Sequence, residues 1–217
     1  DKAAMLDWYA EQMRTAKGSV FFTTAFTVAD QILDVVDKDS SEASGPFQRY
    51  LLLEGDGGLL RDKIPAMRES AQNSIAWGDV LRSRDEDAEM HLQLETLTGL
   101  NDHVNFLHTK YMLIDPLGED PLVVSGSANF SDNSTRKNDE NMLVIRGNTR
   151  VADIFLGEFM RLFNHFQSRN ERNAMSDADF EAGAFLASDD RWTQAYYTTG
   201  TSEFNERLLF AGPGAQI

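Results

Sequence analysis

The chain has 217 residues and a formal net charge of −15, from 20 basic and 35 acidic side chains. This charge repels polyanions, so it argues against a broad nucleic-acid-binding surface. The sequence has no cysteine, which excludes disulfides and thiolate catalysis. No apolar run approaches the roughly 18 residues that span a bilayer. The chain begins at Asp1 without a methionine, which predicts a processed form or a piece of a longer polypeptide.

Strand-like and helix-like segments alternate along the sequence. The first helix is predicted in "MLDWYAEQMRTA" (5–16), because Leu6, Tyr9 and Met13 share one side. Strands are predicted over 19–28, 49–54, 90–97, 104–114, 122–130 and 140–147. Further helices are predicted over 29–38, at the start of 59–88, and over 151–167, where the spacing predicts core packing of Phe155, Phe159, Phe163 and Phe166.

This alternation is typical of an α/β fold, in which helices cover a mostly buried sheet. The sequence shows no internal repeat and no low-complexity linker. We therefore expect one domain over residues 1–170 and a less regular extension over 171–217 that packs on the same domain.

The segment "HTKYMLID" (108–115) places ionisable residues in an otherwise apolar strand. Buried strands rarely accept such side chains unless they are paired or used in a function. His108 and Lys110 are two residues apart, so a strand projects both side chains from the same face. If the strand pairs with "LVVSGSANF" (122–130) around a six-residue loop, Lys110 lies opposite Ser127 and His108 lies opposite Asn129.

Such a patch suits chemistry at a phosphodiester. An imidazole can attack phosphorus or carry a proton near neutral pH. A lysine and an amide can bind the non-bridging oxygens, whose charge must be stabilised in the transition state. Gly126 allows a close backbone approach beside the patch. Asp115 has the opposite parity from His108, which predicts a supporting role away from the patch.

The order His108-x-Lys110-x4-Asp115, followed by Gly126-Ser127-x-Asn129, resembles the HKD signature of the phospholipase D superfamily. The downstream "NDEN" (138–141) also resembles the sequence that follows this signature in the family, and the close match covers residues 104–146. Ten residues separate Asp115 from Gly126, a longer spacing than is usual in the family. The extra length falls in the turn "PLGEDP", where insertions are tolerated.

The resemblance implies an α/β/α sandwich with a mixed central β-sheet and a metal-independent reaction without a cofactor. One histidine attacks phosphorus and forms a phosphohistidine, a second histidine protonates the leaving alcohol, and water or another alcohol then releases the phosphoryl group. The implied catalytic residues are His108, Lys110, Ser127, Asn129 and Glu140, the last as the acidic residue that orients a histidine. Asp115 and Gly126 support them.

The family builds one active site from two such motifs, but this chain has one His-x-Lys. The other histidines are followed two places later by glutamine or asparagine: His91, His103 and His165. The second motif must therefore come from an identical chain or from an upstream part of a longer polypeptide, which the missing methionine favours. The motif fits phospholipid hydrolysis or phosphatidyl transfer, and the acidic charge favours these over an HKD-type endonuclease. A non-catalytic binding module that retains the fold is a further alternative.

Overall fold

A computed structural model describes residues 2–40, 46–55, 59–79, 107–176, 178–179 and 187–212. The strands are β1 (Ser19–Thr24), β2 (Gln48–Leu53), β3 (Asn73–Trp77), β4 (Tyr111–Ile114), β5 (Leu122–Gly126) and β6 (Met142–Arg146). The helices are α1 (Lys2–Arg14), α2 (Asp30–Val36), α3 (Leu59–Glu69), α4 (Asp132–Lys137), α5 (Thr149–Ala174), α6 (Gln194–Tyr197) and α7 (Ser202–Ala211), with a 3₁₀ turn at Arg191–Thr193.

The six strands form one mixed sheet in the order β3-β2-β1-β4-β5-β6. Strands β1, β2 and β3 are parallel, because helices α2 and α3 return the chain to the same end of the sheet. Strands β4, β5 and β6 are each antiparallel to the preceding neighbour in the sheet. The predicted α/β class with a mixed central sheet is therefore confirmed.

Apolar side chains fill both faces of the sheet. On one face, α1 contributes the buried residues Leu6, Tyr9 and Met13, as the helical spacing predicts. The opposite face is covered by α5, whose phenylalanines pack as predicted on aromatic residues of β1 and β2. The rings of Phe21 and Tyr50 stack with centroids 4.9 Å apart in this second core. Burial on both sides explains why the central strands are almost continuously apolar.

The elements differ from the sequence predictions at their ends. Strand β1 stops at Thr24, four residues before the predicted end, and the chain turns at Phe26, which has a φ of 64°. Strand β3 lies in a region where no strand is predicted. It is an edge strand whose position is fixed by pairing with β2, an interaction between distant segments. The predicted strand over 90–97 lies outside the described residues.

The predicted register of the β4–β5 hairpin is wrong by one residue. Ile114 pairs with Leu122, and Tyr111 pairs with Ser125, so the loop holds seven residues instead of six. Asp115 causes this difference, because it leaves the strand with a left-handed φ of 47°. Its carboxylate accepts hydrogen bonds of 2.9, 2.7 and 2.9 Å from three successive backbone N–H groups: Lys17, Gly18 and Ser19.

The C-terminal region contains more helix than the sequence predicts. Helix α5 continues to Ala174, four residues beyond the predicted domain boundary at 170. Helix α7 lies against the second core, where the ring of Phe210 contacts Phe21 and Tyr50 with centroids 6.4 and 6.2 Å apart. Within the described residues, no helix combines the length and apolar character needed to cross a membrane.

We predict that Asp115→Ala lowers the free energy of unfolding by about 1–3 kcal/mol, because three backbone donors lose a charged acceptor. Asp115→Asn should cost less, since one oxygen remains and asparagine tolerates a left-handed φ. Urea denaturation measures both effects. The exposed neighbour Glu119 provides the control, because Glu119→Ala should stay within about 0.5 kcal/mol of the parent. Equal stability of Asp115→Ala and the parent would contradict the supporting role.

Candidate active site

The predicted catalytic residues lie at one end of the strands of the sheet, which we call the site edge. Strands β1 and β5 end there at Thr24 and Gly126, and strands β4 and β6 begin there at Tyr111 and Met142. The segment that carries His108 and Lys110 enters β4 at this edge, and the segment that carries Ser127 and Asn129 leaves β5. The predicted register error does not separate them, because both segments have already left the regular ladder.

The Lys110 side chain is buried at the site edge, with 9% of its surface exposed. Its ammonium donates a hydrogen bond of 2.9 Å to the carbonyl oxygen of His108. Burial lowers the pKa of Lys110, while the nearby carboxylates of Glu140 and Glu54 oppose that effect. Among the described residues this is the one hydrogen bond of the ammonium, so two of its three donors remain for a ligand.

His108 is exposed, and its ring contacts the ring of Phe26 edge to face, with centroids 5.9 Å apart. The backbone around it is held firmly. The hydroxyl of Thr109 shares a 2.7 Å hydrogen bond with Thr23 of β1. The N–H of Leu107 donates a 3.0 Å hydrogen bond to the Glu54 carboxylate. The imidazole is thus accessible to a ligand while its main chain is anchored to β1 and β2.

Gly126 permits the close packing that shapes the next segment. A Cβ atom at this position would collide with the carbonyl oxygen of Asn141 and stand 3.2 Å from the Cα of Met142. The hydroxyl of Ser127 then accepts a 2.9 Å hydrogen bond from the N–H of Asn141. A residue larger than glycine would therefore push apart the two segments that border the site, one around Gly126 and the other around Asn141.

Asn129 is fixed through its main chain and has free hydrogen-bonding capacity in its side chain. Its N–H donates to the Ser134 hydroxyl at 3.0 Å, and its carbonyl accepts from the Thr24 hydroxyl at 2.8 Å. The side-chain oxygen is buried and has no hydrogen-bond partner among the described residues. An amide oxygen is a hydrogen-bond acceptor, so a donor such as an N–H or O–H group would satisfy it, whereas the oxygens of a phosphoryl group would not.

Glu140 connects the site edge to helix α4. Its carboxylate accepts hydrogen bonds of 2.6 Å from the Ser134 hydroxyl and 3.1 Å from the Asn138 amide. Hydrogen bonding by Ser127, then by Ser134 and Asn138, lowers the pKa of Glu140, with a smaller contribution from the Lys110 charge. The described hydrogen bonds do not include one between Glu140 and His108, so the histidine-orienting role remains a prediction.

Asp115 lies at the opposite edge of the sheet, beyond the whole length of β4 from His108. The structure thus brings His108, Lys110, Ser127, Asn129 and Glu140 to one edge and leaves Asp115 at the other. A cavity of about 750 Å³ also opens at the Asp115 edge, between the β4–β5 loop and α7. The residues that line this cavity include Asp115 but none of the predicted catalytic residues, which lie at the site edge.

Two residues of the site edge are missing from the sequence prediction. Glu54 directly follows β2, and its position near Lys110 follows from the pairing of β1 with both β2 and β4. Phe26 is in a segment predicted as continuous strand, so its turn conformation and its contact with His108 are hidden in the apolar pattern.

A mixed sheet with His-x-Lys and Gly-Ser-x-Asn at the same end of its strands is the arrangement of a phospholipase D-like domain. A family model described as "Cardiolipin synthase, PLD-like domain" matches residues 10–163. The chain therefore belongs to the phospholipase D superfamily.

Solved structures align with this chain at low sequence identity. NucT from Helicobacter pylori aligns with a TM-score of 0.52 and 14% identity, over 75% of this chain and 89% of that chain. Nuc from Salmonella typhimurium, a phospholipase D family member, aligns with a TM-score of 0.48 and 17% identity, over 75% and 86% of the two chains. TrmBL2, an archaeal chromatin protein, aligns with a TM-score of 0.41 and 14% identity, over 73% and 48%. A search of curated protein sequences gives no significant match.

The lowered pKa of Glu140 predicts how the stability depends on pH. A carboxylate with a depressed pKa stabilises the folded state above its unfolded pKa, near 4.3, and loses this contribution as the pH falls through the folded value. Glu140→Gln should therefore lower the free energy of unfolding by about 1 kcal/mol at pH 7. The difference from the parent should shrink as the pH falls below the unfolded pKa and disappear below the folded pKa, where both side chains are neutral. Urea denaturation between pH 3 and 7 measures this, and a difference independent of pH would contradict it.

Proposed function

We propose that this protein cleaves or transfers phosphodiesters, with His108 and Lys110 in one half of the active site. The observation that carries the proposal is the buried ammonium of Lys110, which keeps two hydrogen-bond donors unused among the described residues and follows an accessible imidazole in the same segment. A phosphoryl group carries oxygens that suit the Lys110 donors, and the amide of Asn129 offers further N–H groups. Family membership supports the same chemistry.

Each of these residues has a separate role in the proposed two-step reaction. In the first step an imidazole nitrogen forms a bond to phosphorus while the bond to the leaving oxygen breaks, and a second histidine gives that oxygen a proton. Lys110 and Asn129 stabilise the charge on the non-bridging oxygens. In the second step water or an alcohol attacks phosphorus, the second histidine, now neutral, takes a proton from this nucleophile, and the bond between phosphorus and the first imidazole breaks.

The charge around the site favours a phospholipid or a similar small phosphodiester as the substrate. Glu54 and Glu140 both lie close enough to Lys110 to influence its pKa. The chain as a whole carries a net charge of −15. A nucleic acid would place many phosphates against this field, whereas a phospholipid presents a single phosphodiester and uncharged chains.

We predict that His108→Ala lowers kcat/KM on phosphodiesters by about 10⁴-fold or more, because nucleophilic and proton-transfer contributions are both lost. Lys110→Ala should have a similar effect. EDTA should leave turnover unchanged, since Lys110 and Asn129 meet the phosphoryl charge. Assays on phosphatidylglycerol vesicles, on single-stranded DNA and on bis(4-nitrophenyl) phosphate compare the substrate classes.

The matched control for these assays is His165→Ala on the exposed face of α5, which should retain full activity. Mass spectrometry after an alkaline quench should detect a phosphoryl adduct on the parent chain and on the control. Activity of His108→Ala within tenfold of the parent would contradict the proposed chemistry, and preference for DNA would contradict the substrate class.

We infer that a second phospholipase D-like half docks on β6. This strand is the edge of the sheet, and both of its faces carry exposed apolar side chains: Met142 at 39%, Leu143 at 58% and Val144 at 42%. Such an edge is a liability unless another chain or segment covers it. Strand β6 begins two residues after Glu140, at the site edge, so we expect a half that binds there to bring its own histidine motif near His108.

We predict that Leu143→Glu separates the two halves and lowers turnover by about 100-fold or more, because a charge in an apolar interface is strongly unfavourable. Sedimentation velocity and activity on the same sample measure both effects. Leu117→Glu, an exposed leucine at the opposite edge of the sheet, is the control and should change neither. A monomeric parent with a single motif and full activity would contradict the need for a second half, whether from an identical chain or a longer polypeptide.

A further inference from the structure

Phe26 combines three unusual features at the site edge. Its backbone has a φ of 64°, in the left-handed region that an aromatic residue rarely adopts. Its side chain is 43% exposed, although it follows a fully buried strand. Its ring contacts the ring of His108 edge to face at 5.9 Å. A strained residue that is not buried needs a reason other than core packing.

The other two non-glycine residues with positive φ have clear structural reasons. Asp115, with a φ of 47°, receives three backbone hydrogen bonds. Phe130, with a φ of 53°, is buried, and its ring packs against Tyr9 and Phe22 with centroids 4.8 and 4.9 Å apart. Among the described residues, Phe26 is thus the strained residue whose side chain contacts the imidazole of His108 and is not packed in the core.

The turn that carries Phe26 is fastened on both sides to the segment after Gly126. The Thr24 hydroxyl donates to the carbonyl of Asn129 at 2.8 Å, and the N–H of Ala29 donates to the carbonyl of Phe130 at 2.9 Å. These bonds hold the strained turn against the same segment that contributes Asn129 to the site. The ring of Phe26 is therefore fixed relative to the amide as well as to the imidazole.

We propose that Phe26 is a positioning residue for His108, which deepens the function proposed above and rests on it. An exposed imidazole rotates readily about its side-chain bonds, whereas displacement at phosphorus needs a nitrogen roughly in line with the leaving oxygen. The Phe26 ring blocks part of this rotation and keeps water from one side of the imidazole. The backbone strain at Phe26 is the cost of bringing a rigid ring to this place.

Three substitutions separate positioning from folding. Phe26→Leu keeps an apolar side chain and removes the ring. Phe26→Gly removes the ring and also relieves the backbone, because glycine adopts a φ of 64° without strain. Phe26→Tyr keeps the ring. Each variant is assayed on bis(4-nitrophenyl) phosphate, its unfolding midpoint is measured in urea, and the ring signals of His108 are followed by ¹H–¹³C NMR, with His108→Ala used for assignment.

We expect Phe26→Leu and Phe26→Gly to lower kcat about tenfold or more with KM within about threefold, since a misplaced imidazole affects the transition state more than binding. Phe26→Tyr should stay within threefold of the parent in kcat. The unfolding midpoint of Phe26→Gly should equal or exceed that of the parent, which excludes lost stability as the cause. The ¹³C relaxation of the His108 ring signals should show a more mobile ring in the leucine and glycine variants and an unchanged ring in the tyrosine variant. Mobility is the readout because loss of the Phe26 ring current alone changes the chemical shifts.

The two readouts distinguish failure of this inference from failure of the proposed function. An active parent whose leucine and glycine variants keep kcat and the mobility of the His108 ring would overturn the positioning role and leave the phosphodiesterase proposal intact. A parent that is inactive on all phosphodiesters, with a His108 ring that becomes more mobile in the leucine and glycine variants alone, would overturn the function and support the positioning role.

Discussion

The carboxylate of Asp115 is the interaction on which the arrangement of the sheet depends. It accepts hydrogen bonds from the backbone N–H groups of Lys17, Gly18 and Ser19, where the chain enters β1, from a position 96 to 98 residues away in sequence. To reach them, Asp115 leaves β4 in a left-handed conformation, and that departure ends the strand at Ile114. The pairing of β4 with both β1 and β5 is thereby set from one end of the sheet, and the site forms at the other.

Much of the fold can be predicted from the sequence because the buried face of each helix requires apolar residues at regular spacing. Leu6, Tyr9 and Met13 predict the core face of α1, and the phenylalanines of α5 predict the second core. The edge strand β3 has no such signal, since "NSIAW" gains its conformation from pairing with β2. The hairpin register has no local signal either, because the bonds that hold Asp115 come from a segment nearly a hundred residues earlier.

The types of the site residues can be predicted from sequence, but the way they assemble cannot. The expected hairpin would continue through Lys110 and Ser127, whereas regular pairing ends at Tyr111 and Ser125. The two segments then follow separate paths, one held by Thr23 and Glu54, the other by Asn141 and Ser134. These anchors are side-chain contacts between distant elements, which residue spacing does not specify. The turn at Phe26 cannot be predicted from the sequence for the same reason.

The exposed apolar side chains of β6 affect the stability of the protein when a partner binds to this strand. If a partner binds these side chains only when the protein is folded, the free energy of association adds to the free energy of unfolding. Folding and assembly then become one linked equilibrium. For two separate chains the thermal midpoint rises with protein concentration, whereas for two halves of one polypeptide it is independent of concentration.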